Sequence, residues 1–197
     1  ISAERGPANG VLGSELPLPP ERSDALKAAR DRTDKALRDI QAGLRDGRPL
    51  HRLDAIAQSI EISVRQLETA RRQIDGLAVR PRSDRGDTDV MAAVAAMIDV
   101  IPRLAPALNI IENNLALADP ALINFVTIAR LATEMRDYAG QLGSVFTAPF
   151  VARRPMSGDE QARVERLLGT IQSLDYQLRL AFDKTGSPQD LKIALDA

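Results

Sequence analysis

The first ten residues, ISAERGPANG, set Arg5 beside Glu4, Gly6 and Pro7 and four residues before Asn9. A helix through this stretch carries Arg5 and Asn9 on one face. A guanidinium keeps its proton, so on an inward face Arg5 needs a counter-charge, because a buried unpaired charge costs several kcal/mol. That partner is a carboxylate of the protein, either Glu4 or an acid on another helix, or a bound anion. Pro7 has no N–H to offer the carbonyl of Ala3, which leaves a backbone acceptor free and predicts a polar pocket made by a kink. Two further arginines bear on such a site. Arg136 stands near Tyr138, where its side chain reaches either the core or solvent. Arg71 falls on an apolar seam, and its expected role is that of a surface arginine with Ala70 packing in its place. The chemistry Arg5 and Asn9 offer is either a structural ion pair or capture of a small anion.

Nothing else in the chain converges on catalysis. His51 is the one histidine and is expected to be exposed at a helix start, and the chain has no cysteine. Thiolate metal sites, disulfides and cysteine nucleophiles are thereby excluded. No carboxylate pair has the helical spacing to a histidine that a di-iron bundle needs. The H-E-x-x-H, phosphate-loop, dinucleotide and nucleophile-elbow patterns are missing. The segment is expected to be non-catalytic, with no cofactor and no metal. Its 26 basic and 27 acidic residues are interspersed to a net charge of −1, which gives no basic field to concentrate a polyanion, so no nucleic-acid partner is expected. Arg85-Gly86-Asp87 resembles an adhesion tripeptide, but it lies in the polar turn RPRSDRGDTD and reads as loop composition.

The elements that position these residues are helices. Apolar residues make up 44% of the chain and aromatics 3%, without tryptophan, which is the composition of helix packed on helix rather than of a sheet. With 197 residues the chain can bury a core as one helical domain. The apolar spacing predicts six segments, roughly 1–16, 21–46, 49–80, 88–118, 120–148 and 157–184. Gly47 and Pro49 stop the second. Leu53, Ala57, Ile60, Val64, Leu67, Arg71, Ile74 and Ala78 form a coiled-coil-like seam in the third. Asp87 or Thr88 is expected to cap the fourth, with a kink or a short break near Pro102 to Pro106. Asp119-Pro120 opens the fifth, Ser157 and Glu160 make a capping box for the sixth, and Gly186-Ser187-Pro188 ends it. The expected fold is an all-α antiparallel bundle with a four-helix-bundle-like core. No run of about 18 apolar residues is seen, so no part of the chain is expected to span a membrane.

A weak internal echo suggests two related helical hairpins. GVLGSELPLP at 10–19 aligns with GQLGSVFTAP at 140–149. In that register Arg5, Asn9, Leu12 and Leu16 take the places of Met135, Ala139, Leu142 and Phe146, so that two apolar seam positions have become polar.

At AERGPANGVLGSE and at RDYAGQLGSVFTAPFVARRPMSGDEQARVERL the chain resembles the nitrate- and nitrite-sensing (NIT) domain, an all-helical extracytoplasmic sensor region of bacterial histidine kinases, chemoreceptors and diguanylate cyclases. Glu4, Arg5 and Gly6 match the family's E-R-G turn, and Phe150, Arg154, Ser157 and Glu160 match a later turn. In nitrate-binding members arginines on the first and later helices hold the anion. Of these only Arg5 transfers, because Gln141 and Leu142 stand where the later arginine and its acidic neighbour would be, and Arg136 is the nearest cation. The resemblance implies a periplasmic sensor at the inner membrane, continuing into membrane helices outside this segment; the missing initiator methionine fits that expectation. It also implies a homodimer, a small anionic ligand and a cytoplasmic output module, a diguanylate cyclase before a kinase or chemoreceptor. The competing reading is a helical scaffold or protein-interaction module, in which Arg5 is paired to a protein acid and one helix face exposes an apolar stripe.

Overall fold

The computed structural model describes residues 1–46 and 51–185. Within them the chain is an all-α helical bundle with no strand. Eight α-helices follow in order: α1 (Ser2–Leu12), α2 (Pro20–Asp46), α3 (Leu53–Ala78), α4 (Asp87–Ile98), α5 (Val100–Ala118), α6 (Ile123–Val145), α7 (Thr147–Ala152) and α8 (Gly158–Asp183). Short 3-10 turns cover Arg82–Asp84 and Pro120–Leu122. Gly47, Pro49 and the sequence from Gly186 onward, where helix stops are expected, lie outside the described residues.

Prolines decide where two of the expected segments divide. Pro102 cannot donate to the carbonyl of Ile98, four residues back, and α4 ends at Ile98. Pro149 stands in the same relation to Val145, where α6 ends. Expected helices 88–118 and 120–148 are therefore each two helices. Pro106 remains inside α5 and Pro7 inside α1, so the kink expected at Pro7 does not end that helix. The fourth segment also starts differently from expectation: Gly86 is the N-cap of α4, with no side-chain cap. Asp87 is instead engaged by Arg154, whose Nη2 donates to Oδ2 at 2.9 Å.

Burial in α3 falls on Ile56, Ile60, Ser63, Leu67, Ala70, Ile74 and Leu77, an alternation of four and three, with Ser59 and Ala78 buried beside it. The expected seam is right at Ile60, Leu67, Ile74 and Ala78. Elsewhere it lies one position off, because the small residues Ser63 and Ala70, rather than Val64 and Arg71, take the close-approach positions.

Three apolar clusters result. The largest joins α1, the second half of α3, α4 and α7, with Leu26 of α2 and Val100 at the start of α5, and includes Leu12, Leu67, Ile74 and Val90. A second holds the first half of α3 against α5 through Ile56, Ile60, Ala107 and Ile110. The third pairs α6 with α8 through Ile128, Leu178, Ala181 and Phe182. The molecule is thus a central knot with two limbs, α3–α5 and α6–α8. Each limb packs on its own partner, and α5 and α6 touch little.

By length and composition α4 and α5 together, Asp87–Ala118, are apolar enough to cross a membrane, contrary to expectation. Core helices meet the same criterion, and here Val90, Ala93, Val94, Met97 and Ile98 are buried in the central cluster, while Asp99 and Arg103 are exposed midway.

Candidate anion site at the α1–α6 joint

Short side chains on α6 allow α1 to come close. Asp137, Gly140 and Ser144 recur at helical spacing and face Arg5 and Asn9 of α1. Arg5 is 2% exposed. Its Nη2 donates to Asp137 Oδ1 at 2.5 Å, to the Asp137 carbonyl at 2.9 Å and to Ser2 Oγ at 3.0 Å. Asn9 Nδ2 donates to Ser144 Oγ at 3.0 Å. A Cβ on residue 140 would stand 2.6 Å from Arg5 Nη2, so only glycine there lets the guanidinium lie against the helix. Gln141 holds the far oxygen of Asp137, donating to Oδ2 at 3.0 Å.

The partner of Arg5 is therefore an acid on another helix rather than Glu4. Glu4 is fully buried and belongs to Arg71, which donates from Nη2 at 2.6 Å and from Nε at 3.0 Å. Arg71 also reaches Asp34 at 2.8 Å. Arg71 is therefore not a surface arginine, and its charge links α1, α2 and α3. Burial disfavours that charge, and the hydrogen bonds to Glu4 and Asp34 outweigh the penalty and raise its pKa.

One feature of Arg5 is unexplained by these partners: its Nε and Nη1 are buried and meet no hydrogen-bond acceptor. Each buried donor left unmade costs about 1–3 kcal/mol, and native proteins keep few. An oxyanion accepting from these N–H groups would satisfy them, since a guanidinium presents a planar array of donors suited to planar anions.

Of the residues singled out from sequence, Arg5 and Asn9 lie together at this joint. Arg136 does not converge on them; its side chain is exposed. Asp137, Gly140 and Ser144 escaped the sequence reading. The aligned register took Met135, Ala139, Leu142 and Phe146 as the inward seam of α6, but Met135 serves α8 and Phe146 is exposed. The available signal was the small pair Gly140 and Ser144, whose spacing marks a close helix approach.

Two other motifs are architectural. Arg85 of the Arg-Gly-Asp stretch is 3% exposed, and its guanidinium donates to the carbonyls of Val11, Leu12, Ser14, Leu77, Ala78 and Arg80. It closes the C-terminal ends of α1 and α3, where free carbonyls and the helix dipole favour a cation. In the later turn, Ser157 and Glu160 form the expected capping box. Glu160 also accepts from Arg154 at 2.7 and 2.8 Å. That pairing, with the N–H and hydroxyl of Ser157, lowers the Glu160 carboxyl from 4.5 to about 2. Among the described residues no group of acids and histidine is arranged to hold a metal.

Neither the curated proteins nor the solved structures contain a significant match to the chain. The family described as nitrate and nitrite sensing (NIT) matches it over residues 1–197. With a buried E-R-G arginine on the first helix and an all-α bundle around it, the chain belongs to the nitrate- and nitrite-sensing family.

Proposed function

We propose that this domain senses a small oxyanion, nitrate or nitrite or one of similar size, bound at Arg5 with Asn9 beside it. The observation that carries this reading is the pair of unused, buried donors Nε and Nη1 of Arg5. The family supplies the sensing role, and the site adds the reason for an anion. Asp137 already neutralises Arg5, and the second arginine of nitrate-binding relatives is replaced by Gln141, so affinity is expected to be modest. The domain itself is read as non-catalytic. It would act from the periplasmic face of the inner membrane as a homodimer anchored by helices beyond this segment, passing its signal to a diguanylate cyclase, histidine kinase or chemoreceptor module. A ligand at the joint changes how α1 sits on α6, and packed helices respond by moving between discrete arrangements.

The alternative, a helical scaffold without a ligand, takes Arg5–Asp137 as a structural ion pair. It is favoured by that pair but leaves Nε and Nη1 without a purpose. Thermal unfolding with nitrate, nitrite, chloride and small carboxylates separates the two. Ligand at a hundredfold excess over its dissociation constant adds about 2.7 kcal/mol of stability. Stabilisation by an oxyanion that disappears in Arg5→Lys supports the sensor. Equal, absent or Arg5-independent responses support the scaffold.

A further inference from the structure

A groove of about 460 Å³ runs between α5 and α6, on the side of α6 away from α8. It exists because each helix packs on a different partner, leaving the two limbs apart. Ile101, Ala105, Leu108, Val126 and Ala129 give it an apolar wall. Its volume falls in the range of sites for organic molecules and is far beyond what a triatomic or tetratomic anion fills. The charged groups in it are mostly acidic. Glu112, Glu134 and Asp137 line it against one guanidinium, Arg130, and Arg130 is already held by Glu112 at 2.9 Å and Glu134 at 2.8 Å. Asp137, 7% exposed, lines the groove with Tyr138 and Gln141, next to Ile101 and Pro102. With Asp137 paired to Arg5 and held by Gln141, Glu112 and Glu134 against Arg130 leave the groove a net negative charge, which repels anions, and a carboxylate beside an aromatic ring suits an ammonium group.

We propose that this groove is a second ligand site, distinct from the anion site, for a small organic cation: an alkyl or aryl ammonium whose apolar body lies along Ala105, Leu108 and Ala129 while its charged end meets Asp137 and Tyr138. Asp137 and the Gln141 that holds its far oxygen are common to both sites. A cation drawing on its carboxylate loosens the hold of Asp137 on Arg5, so each ligand favours the binding of the other, and by linkage the effect is reciprocal.

The test is calorimetric titration of the 197-residue chain with hexylammonium, hexanol and hexanoate, with the methyl resonances of Ala105 and Ala129 recorded alongside. Saturable binding of hexylammonium is expected, at least about tenfold tighter than either of the others, with both methyls shifted. Leu108→Trp, at a position 42% exposed where the larger ring is accommodated without disturbing the core, abolishes it. Glu134→Gln and Asp137→Asn each narrow the preference over hexanol; if Asp137→Asn fails to fold, Glu134→Gln alone carries that arm. Hexanol binding as tightly as hexylammonium, unmoved alanine methyls, survival of binding in Leu108→Trp, or no saturable binding overturns the proposal. None of these outcomes depends on whether nitrate binds at Arg5.

Discussion

Buried charged side chains do different work in this molecule, and the difference lies in what satisfies them. Glu4 and Arg71 complete each other through two hydrogen bonds. Arg85 is completed by carbonyls alone. Lysine in its place has one compact ammonium and cannot span the ends of both α1 and α3, so Arg85→Lys strands several carbonyls and is expected to lower stability by about 2–4 kcal/mol, read as a shift of the urea midpoint. Arg5 is only half completed, which is why it is read as a ligand site. Gly140→Ala tests that contact. Alanine gains about 1 kcal/mol of helix propensity but sets a methyl 2.6 Å from the Arg5 Nη2 that Asp137 holds. The expected result is a lowered melting temperature, because the buried pair is disturbed, together with loss of oxyanion-induced stabilisation; retained stabilisation would show that Arg5 is not the contact. An inward Arg5 is what the aligned register predicts, and Arg5 is buried although that register misplaces the seam of α6. The identity of Asp137 as its partner was not legible in the sequence, since that contact spans 132 residues and depends on a glycine whose purpose appears only once α1 and α6 are packed.

At the scale of elements, the local signals carried furthest. The Ser157–Glu160 box forms as the sequence predicts, and Asp119 accepts from the Ala121 N–H at 3.0 Å at the start of its turn. Helix positions also came out well, because amphipathic spacing and proline chemistry are local. Two breaks fall four positions before Pro102 and Pro149, where the missing hydrogen bond lies. The cap at Asp87 failed for a non-local reason: Arg154, 67 residues away, takes its carboxylate. The Glu160 box makes a pH prediction. Its folded-state carboxyl titrates at about 2 against 4.5 when free, so its contribution is present above 4.5 and is lost as pH falls toward 2. Glu160→Gln should flatten the acid side of a stability-against-pH curve over that window, while leaving the neutral-to-alkaline side parallel to the parent.

Across the whole molecule, the all-α class followed from composition, whereas the split into a central knot and two limbs did not, because it depends on which helix each apolar stripe chooses. The end where α5 meets α6 exposes Leu117, Ile123 and Phe125, at 79%, 48% and 45%, as an apolar surface suited to a second copy. If the proposed homodimer uses this end, Leu117→Glu shifts the sedimentation coefficient to that of a monomer at concentrations where the parent is dimeric. The joint between α1 and α6 lies where the limbs leave the knot, so an anion there is placed to alter how α1 is held. The measurement that bears most directly on this account is the ¹H–¹⁵N resonance of the Arg5 Nε–H followed through a nitrate titration. The account predicts a saturable shift to lower field, as a buried donor without a partner acquires an oxyanion, with the Asn9 side-chain amide moving at the same midpoint. An Arg5 Nε–H that stays in place at saturating nitrate, nitrite and small carboxylates would contradict it.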